Sequence, residues 1–416
     1  MKIWLTLWLV LCTGAALAVE PASFSDFGSN TPAGRGGKII RVTTLDADGP
    51  GSLMAAIAES GPRIVVFEVA GVIDLDRRDL KIREPFITIA GQTAPSPGIT
   101  LIRGGLKIQT HDVKLQHLRL RIGDAGMAKK SNFEKDASIE GARARNVVVD
   151  HCSFSWATDE NLSVSGPRLE GPEKTAGRVT LSNNIIAEAL HDSAHLKGKH
   201  SMGSLIHDNV QEVAVIGNLY AHNNDRNPFF KANTTGLIAN NYIYNPGSAA
   251  IRLDFVPKEW EGHALPEMAR VSIVGNVMQA GQNTRDGLGL VRGSMTGGLA
   301  WMHDNLAFGP KGEAAPLTYG LFAALDVPPI WPKGDWQPLP ATTVPEAVLQ
   351  HAGARPKDRD AVDARLVADI RAGRGQRIDS QVDVGGYPQT KPVYRKLSIP
   401  QHDIDGWLAQ LARELE

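Results

Sequence analysis

The sequence predicts a right-handed parallel β-helix, and three observations point to it. Six segments share one shape: NVVVDHCSF from Asn146, RVTLSNNII from Arg178, EVAVIGNLY from Glu212, TGLIANNYI from Thr235, RVSIVGNVM from Arg270 and LAWMHDNLA from Leu299. Each is a short β-type run that reaches a polar turn and then resumes. Aligned on their asparagine, five of them place Asn184, Asn218, Asn241, Asn276 and Asn305 at separations of 34, 23, 35 and 29 residues. Such irregular spacings suit stacked β-coils with loop insertions, whereas a helical solenoid would carry a 3.6-residue period. Third, the 42 glycines supply corners between sheets. An inward-facing asparagine can satisfy its amide and carbonyl on its counterpart in the next coil. The plainer explanation, that these asparagines mark turns in an unrelated β protein, leaves six like segments in one order to chance.

The elements follow in chain order. The opening MKIWLTLWLVLCTGAALAVEP has an early lysine, an apolar run and a small-x-small site at Ala16-Leu17-Ala18. It predicts a signal peptide over residues 1–18 and a secreted protein, extracellular or periplasmic, with no membrane attachment after cleavage. The apolar run is short for a membrane span. Residues 19–310 form the predicted β-helix domain, with coils from about residue 38; FITIAGQT from Phe86 and DVKLQHLRLR from Asp112 extend the pattern upstream. Residues 311–416 are richer in Pro, Ala and Arg, with helical patterns in DRDAVDARLVADIRAG and DIDGWLAQLARELE. This tail is expected to pack on the β-helix as loops and short helices, the acidic run DRDAVD from Asp358 forming a solvated helix face.

Composition narrows the function classes. Lys+Arg 44 against Asp+Glu 45 gives a net charge of -1, without the basic excess of a nucleic-acid binder. Of two cysteines, Cys12 lies in the signal, so a mature chain keeps Cys152 alone and forms no internal disulfide. Its apolar neighbours make Cys152 a buried, inert thiol. A monomer is expected.

One stretch concentrates positive charge. In HNNDRNPFFK, Arg226 precedes Pro228 by two residues and Lys231 follows Arg226 by five. With it, GGKIIRVTTLDADGPGSLMAAIAESGPRIVVFEVAGVIDL, ITIAGQTAPSPGITL and VVVDHCSFSW resemble the pectate lyase family, polysaccharide lyase family 1, from about Gly36 to Arg252. HAGARPKDRDAVDARLVADIRAG with VGGYP is similar to the tail of its secreted bacterial members.

The resemblance implies a right-handed β-helix that cleaves an acidic polysaccharide by β-elimination, with Ca2+. It implies Arg226 as the base, Lys231 as a second cation for substrate acid groups, and Asp150-His151 as the aspartate-histidine rung, with Asp150 toward substrate. Calcium ligands would come from Glu134, Asp136, Asp159 and Glu160, although Ser163 stands where the family has an acid four residues after Asp159. A further cation would come from HLKGKHSMGS, which offers Lys197, Lys199 and His200.

The chemistry asks for such residues. A uronate is cleaved by removing the C5 proton and expelling the C4 oxygen, and positive charge on the carboxylate stabilises the enolate-like transition state. Arginine is a costly base because it stays protonated; His200 or Lys199 is less costly on intrinsic pKa, and both remain open. Two other classes compete. A β-helix glycoside hydrolase would need paired carboxylates such as Asp150, Asp159 and Glu160, but leaves Arg226 and Lys231 without a role. A carbohydrate-binding module should show an aromatic stripe, yet aromatics are only 6%.

Overall fold

The computed structural model describes residues 25–294 and 297–416, so the expected signal peptide lies outside the described residues. Among the described residues, three sheets of eleven, nine and ten strands run side by side, the coil strands pairing in parallel with their counterparts one coil away and the tail strand Val393–Tyr394 adding antiparallel to Val69–Asp74. One coil illustrates the path. Gly177–Ser182 lies in the eleven-stranded sheet, Ile185–Ala187 in the ten-stranded sheet and Leu205–Ile206 in the nine-stranded sheet, before Gln211–Ile216 returns to the first. The register sets Val179 on Val213 and Leu181 on Val215, so like residues stack through the interior.

The asparagine ladder forms. Asn184 Nδ2 donates to Asn218 Oδ1 at 2.9 Å, Asn218 to Asn241 at 3.0 Å, Asn241 to Asn276 at 2.9 Å and Asn276 to Asn305 at 3.1 Å. Each receiving Oδ1 also accepts the backbone N–H of the residue stacked on it. The residue before each rung has positive φ: Asn183 52°, Gly217 68°, Asn240 52°, Gly275 66° and Asp304 46°. Gly, Asn and Asp tolerate this left-handed region best, which is why the motif reads NN, GN, NN, GN, DN. Cys152 stands at the rung above, its N–H donating to Asn184 Oδ1 at 2.9 Å, and its buried thiol has a raised pKa because of desolvation.

The tail leaves one face open. Helix α1 (Leu53–Ala58) inserts Leu53, Ala56 and Ile57 into the interior cluster at the N-terminal end. Helices α2 (Val344–His351) and α3 (Ala361–Arg371) pack Val344, Val348, Leu366 and Ile370 on the outer face of the ten-stranded sheet. Helix α4 (Ile404–Leu415) sets Leu408 against Ile64, Val66 and Ala90 of the eleven-stranded sheet. The nine-stranded sheet carries no such helix among the described residues, and the candidate site lies along it.

The acidic run of α3 is not a solvated face. Asp360 caps the helix, accepting the Asp363 N–H at 2.8 Å, and Asp363 is fully buried. Its Oδ1 accepts from Arg121 Nη2 at 2.8 Å and its Oδ2 from Ser153 Oγ at 2.7 Å. Burial works against the charge on Arg121, but Asp360 and Asp363 outweigh it and raise its pKa. The residues are spent on docking the tail, a contact that helical periodicity alone does not reveal.

Candidate active site

Turns from successive coils build the site. Isolated parallel bridges run from Glu160 to Met202 and from Met202 to Asp225, so the Asp159-Glu160 turn, the His200 segment and Arg226 lie on successive coils. A second set of buried asparagines holds them. Asn161 Oδ1 accepts the Ala157 N–H at 3.1 Å while its Nδ2 donates to Ala187 O at 3.0 Å and Asn223 Oδ1 at 3.2 Å. Asn223 in turn donates to Asn227 Oδ1 at 3.0 Å, immediately after Arg226. Thr158 Oγ1 accepts the Lys135 N–H at 2.8 Å, which brings the Glu134–Asp136 segment alongside.

Each expected metal ligand meets a nitrogen of its own chain. Glu160 pairs with Arg226, and Asp136 with Lys107. Asp159 Oδ1 lies 2.6 Å from His200 Nε2 and 3.7 Å from His195 Nε2. Glu134 Oε1 lies 3.3 Å from His195 Nε2. The two imidazoles stack at 3.9 Å with 13° between planes. Lys197 and Lys199 are exposed, and neither makes an ion pair among the described residues.

The electrostatics follow from burial and pairing. Burial raises the Asp159 carboxyl, but the His200 hydrogen bond and the charges of His200, His195 and Arg226 overcome it and lower its pKa. Burial lowers His195, helped by His200 and opposed by Asp159 and Glu134. Burial raises Asp136, only partly offset by Lys107; burial opposes the charge on Lys107, yet Asp136, Glu140 and Asp79 raise it. These two shifts pull the pair in opposite senses, and the direct Nζ to Oδ1 contact favours the ionised pair at neutral pH. Burial also lowers the Arg226 guanidinium, with Asp159 opposing. Its ion pair with Glu160 favours the charged form, and we read it as a cation.

The donor set does not fit calcium. Ca2+ takes six to eight oxygen ligands. Here the four carboxylates are turned toward nitrogens, and the atoms gathered around Asp159 are imidazole nitrogens. His195 Nδ1 accepts the Lys197 N–H at 3.0 Å, so its neutral ring carries the proton on Nε2, facing the carboxylates as a donor.

Two expected residues stand elsewhere. Asp150, expected toward substrate, ends a strand of the eleven-stranded sheet, where it accepts from Gln116 Nε2 at 2.9 Å and Ser182 Oγ at 2.7 Å. It lines a cavity of about 730 Å³ between that sheet, the Ser29–Ala33 segment and α4, which none of the site residues above borders. Burial works against its charge, but His151, Ser182 and Gln116 hold its pKa far below the usual range. Lys231 is buried in a closed network instead of facing the groove beside Arg226. Its Nζ lies 3.0 Å from Asp208 and 2.5 Å from Glu259, and Arg168 lies 3.0 Å from each acid. The short Phe229–Phe230 strand between the two cations sends them to different acids. Sequence reasoning missed Lys107, His195 and the Asn161, Asn223, Asn227 bracket. The paired histidines of HLKGKH were the one available signal.

Comparison with known proteins places the chain. No family model matches it. A protein of Aspergillus terreus named as a probable pectate lyase C is 30% identical over 391 residues, covering 90% of this chain and 83% of that protein. One of Neosartorya fischeri with the same name is 29% identical over 406 residues, covering 94% and 85%. Among solved structures, a pectate lyase from Bacillus sp. N165 in complex with trigalacturonate superposes with a TM-score of 0.53 at 15% identity, over 79% of this chain and 98% of that one. A pectate lyase bound to a hexasaccharide gives 0.55 at 12% identity, over 82% and 98%. These structures share the right-handed parallel β-helix. With that fold and sequence identity sustained over nine-tenths of its length, the chain is a polysaccharide lyase and belongs to the pectate lyase family, polysaccharide lyase family 1.

Proposed function

We propose that the protein is an exported lyase that cleaves pectate, or a related polyuronate, by β-elimination and leaves unsaturated uronate ends. The observation that carries this is the Arg226 cation set one coil beyond His200, which pairs with Asp159 of the coil before. A lyase needs a proton acceptor beside a group that stabilises charge on the substrate carboxylate.

His200 suits the acceptor. Asp159 holds its Nε2, and among the described residues nothing bonds to Nδ1. Imidazole accepts protons near neutral pH, whereas a guanidinium paired with a carboxylate does not. In this reading His200 Nδ1 takes the C5 proton, Arg226 stabilises the enolate-like carboxylate, the C4–O bond breaks and a C4–C5 double bond forms. The leaving C4 oxygen takes a proton from water, and the hydroxide left behind takes the C5 proton from His200 Nδ1, restoring the base. Arg226, which the resemblance implies as the base, acts here as the cation. Lys199 stays a candidate for binding polymer at the rim, as does Lys197, since both are exposed. Calcium is the cofactor that the resemblance implies, and no step is routed through it because the donor set does not fit it.

The test is incubation with polygalacturonate while following ultraviolet absorbance of the unsaturated product. Rising absorbance is expected. Chain shortening without it would indicate hydrolysis, and neither signal across several polyuronates would leave a binding protein only.

A further inference from the structure

The four acids expected to bind a divalent cation are each already matched within the chain: Asp136 by Lys107, Glu160 by Arg226, Asp159 by His200 and Glu134 by His195. We propose that this lyase works without calcium, its electrostatic role being taken by the Lys107 and Arg226 cations, with His195 donating from Nε2 to the remaining acids. The proposal rests on the lyase reading above and concerns how that site is charged.

Competition for the carboxylates is the first argument. The side chains of Lys107 and Arg226 are only 19% and 21% exposed. A calcium ion that drew Asp136 and Glu160 into its sphere would strip two largely buried cations of the carboxylates they touch and set a dication beside them. Without those two acids, Glu134 and Asp159 offer far fewer oxygens than calcium requires. Ser163, which stands where a further acid is expected, adds a hydroxyl and no charge.

The imidazoles give the second argument. The Lys197 N–H on Nδ1 commits His195 to presenting a proton at Nε2, so it approaches Glu134 and Asp159 as a cation would, by donating. Both imidazoles turn Nε2 toward Asp159 and stack at 3.9 Å, so the atoms gathered there are nitrogens and not the oxygens that Ca2+ takes.

The position of Lys107 gives the third. In the nine-stranded sheet it is in register with Ser138, and Ser138 with Ser163, so its ammonium comes from the row of side chains that leads into the site. It lies 3.8 Å from Glu140 as well as touching Asp136. The charge a metal would bring is thus fixed covalently to the sheet.

Two measurements on the intact protein test this. Calorimetric titration of the metal-stripped protein with Ca2+, without polymer, should show no saturable binding, and absorbance rates on polygalacturonate should be equal in excess EGTA and excess Ca2+. Saturable Ca2+ binding together with a rate lost in EGTA would overturn the proposal. Absence of product under both conditions would sink the lyase reading instead, and calorimetry alone would then decide the metal question. In a Lys107→Gln variant the EGTA rate should fall on the order of tenfold or more, and added Ca2+ should restore part of it. An unimpaired Lys107→Gln protein would refute the role given to Lys107.

Discussion

Replacing Asn218 by Leu removes a middle rung of the interior ladder while keeping nearly the same volume. Asn218 Oδ1 accepts the Asn184 N–H and Asn184 Nδ2, both at 2.9 Å. Its Nδ2 donates to Leu181 O at 2.9 Å and Asn241 Oδ1 at 3.0 Å. Leucine abolishes all of these in a position with no solvent access. Asn184 Nδ2 keeps Val149 O as acceptor, and Asn241 Oδ1 keeps the Asn218 N–H. The orphaned group is therefore the buried Asn184 N–H, costing about 1–3 kcal/mol, with about 1 kcal/mol for each further bond lost. Added apolar burial returns part of it, leaving an expected loss of about 3–5 kcal/mol. Urea unfolding followed by far-ultraviolet circular dichroism measures the loss, and hydrogen exchange at the Asn184 amide localises it. A loss below about 1 kcal/mol, or unchanged protection at Asn184, would refute the ladder as an energetic element of the coil.

Three more outcomes can be checked. Arg226→Gln should lower turnover by roughly 10² or more with an unchanged circular dichroism spectrum, and retained turnover would remove Arg226 from the mechanism. Asp363→Ala should destabilise the fold by about 3–5 kcal/mol in thermal or denaturant unfolding, because it strips a partner from the fully buried Arg121; a neutral result would mean that the tail is held by apolar packing alone. Acid should also weaken the fold. Burial pushes His222 down to about 4, and burial followed by Lys231 does the same to His207. Both are thus neutral when folded, while the unfolded chain binds protons from about pH 6.5 downward. Their stabilisation is full above about pH 6.5 and is lost as pH falls toward 4, on the order of 3 kcal/mol for His222. His222→Gln should flatten that slope of stability against pH, and an unaltered slope would show that His222 does not contribute.

The site was legible in parts. Arg226, Asp159, Glu160, His200, Glu134 and Asp136 were all nameable from local motifs, and they come together from turns of successive coils. Their roles were harder to read, since an aspartate in a sequence does not reveal which cation will face it. Lys107 carries no motif, and it matters only because parallel register brings it to Ser138 and Asp136. Asp150 and Lys231 misled for the same reason. Each sits in a recognisable stretch, but one points to the eleven-stranded sheet's cavity and the other closes on Asp208 and Glu259.

The coil itself was written locally. A left-handed residue followed by an inward asparagine, repeated as Asn183-Asn184, Gly217-Asn218, Asn240-Asn241, Gly275-Asn276 and Asp304-Asn305, states both the bend and its hydrogen-bond partner one coil on. Backbone preference and side-chain type are properties of neighbouring residues, so the sequence alone determined the β-helix and its stacking. The partners across coils depend on loops of unequal length and on which sheets the tail covers. Only the tertiary structure could therefore decide that Arg226 meets Glu160, that His200 meets Asp159, and that Asp363 turns inward to Arg121. Charge pairing acts over distance in space and is indifferent to distance along the chain.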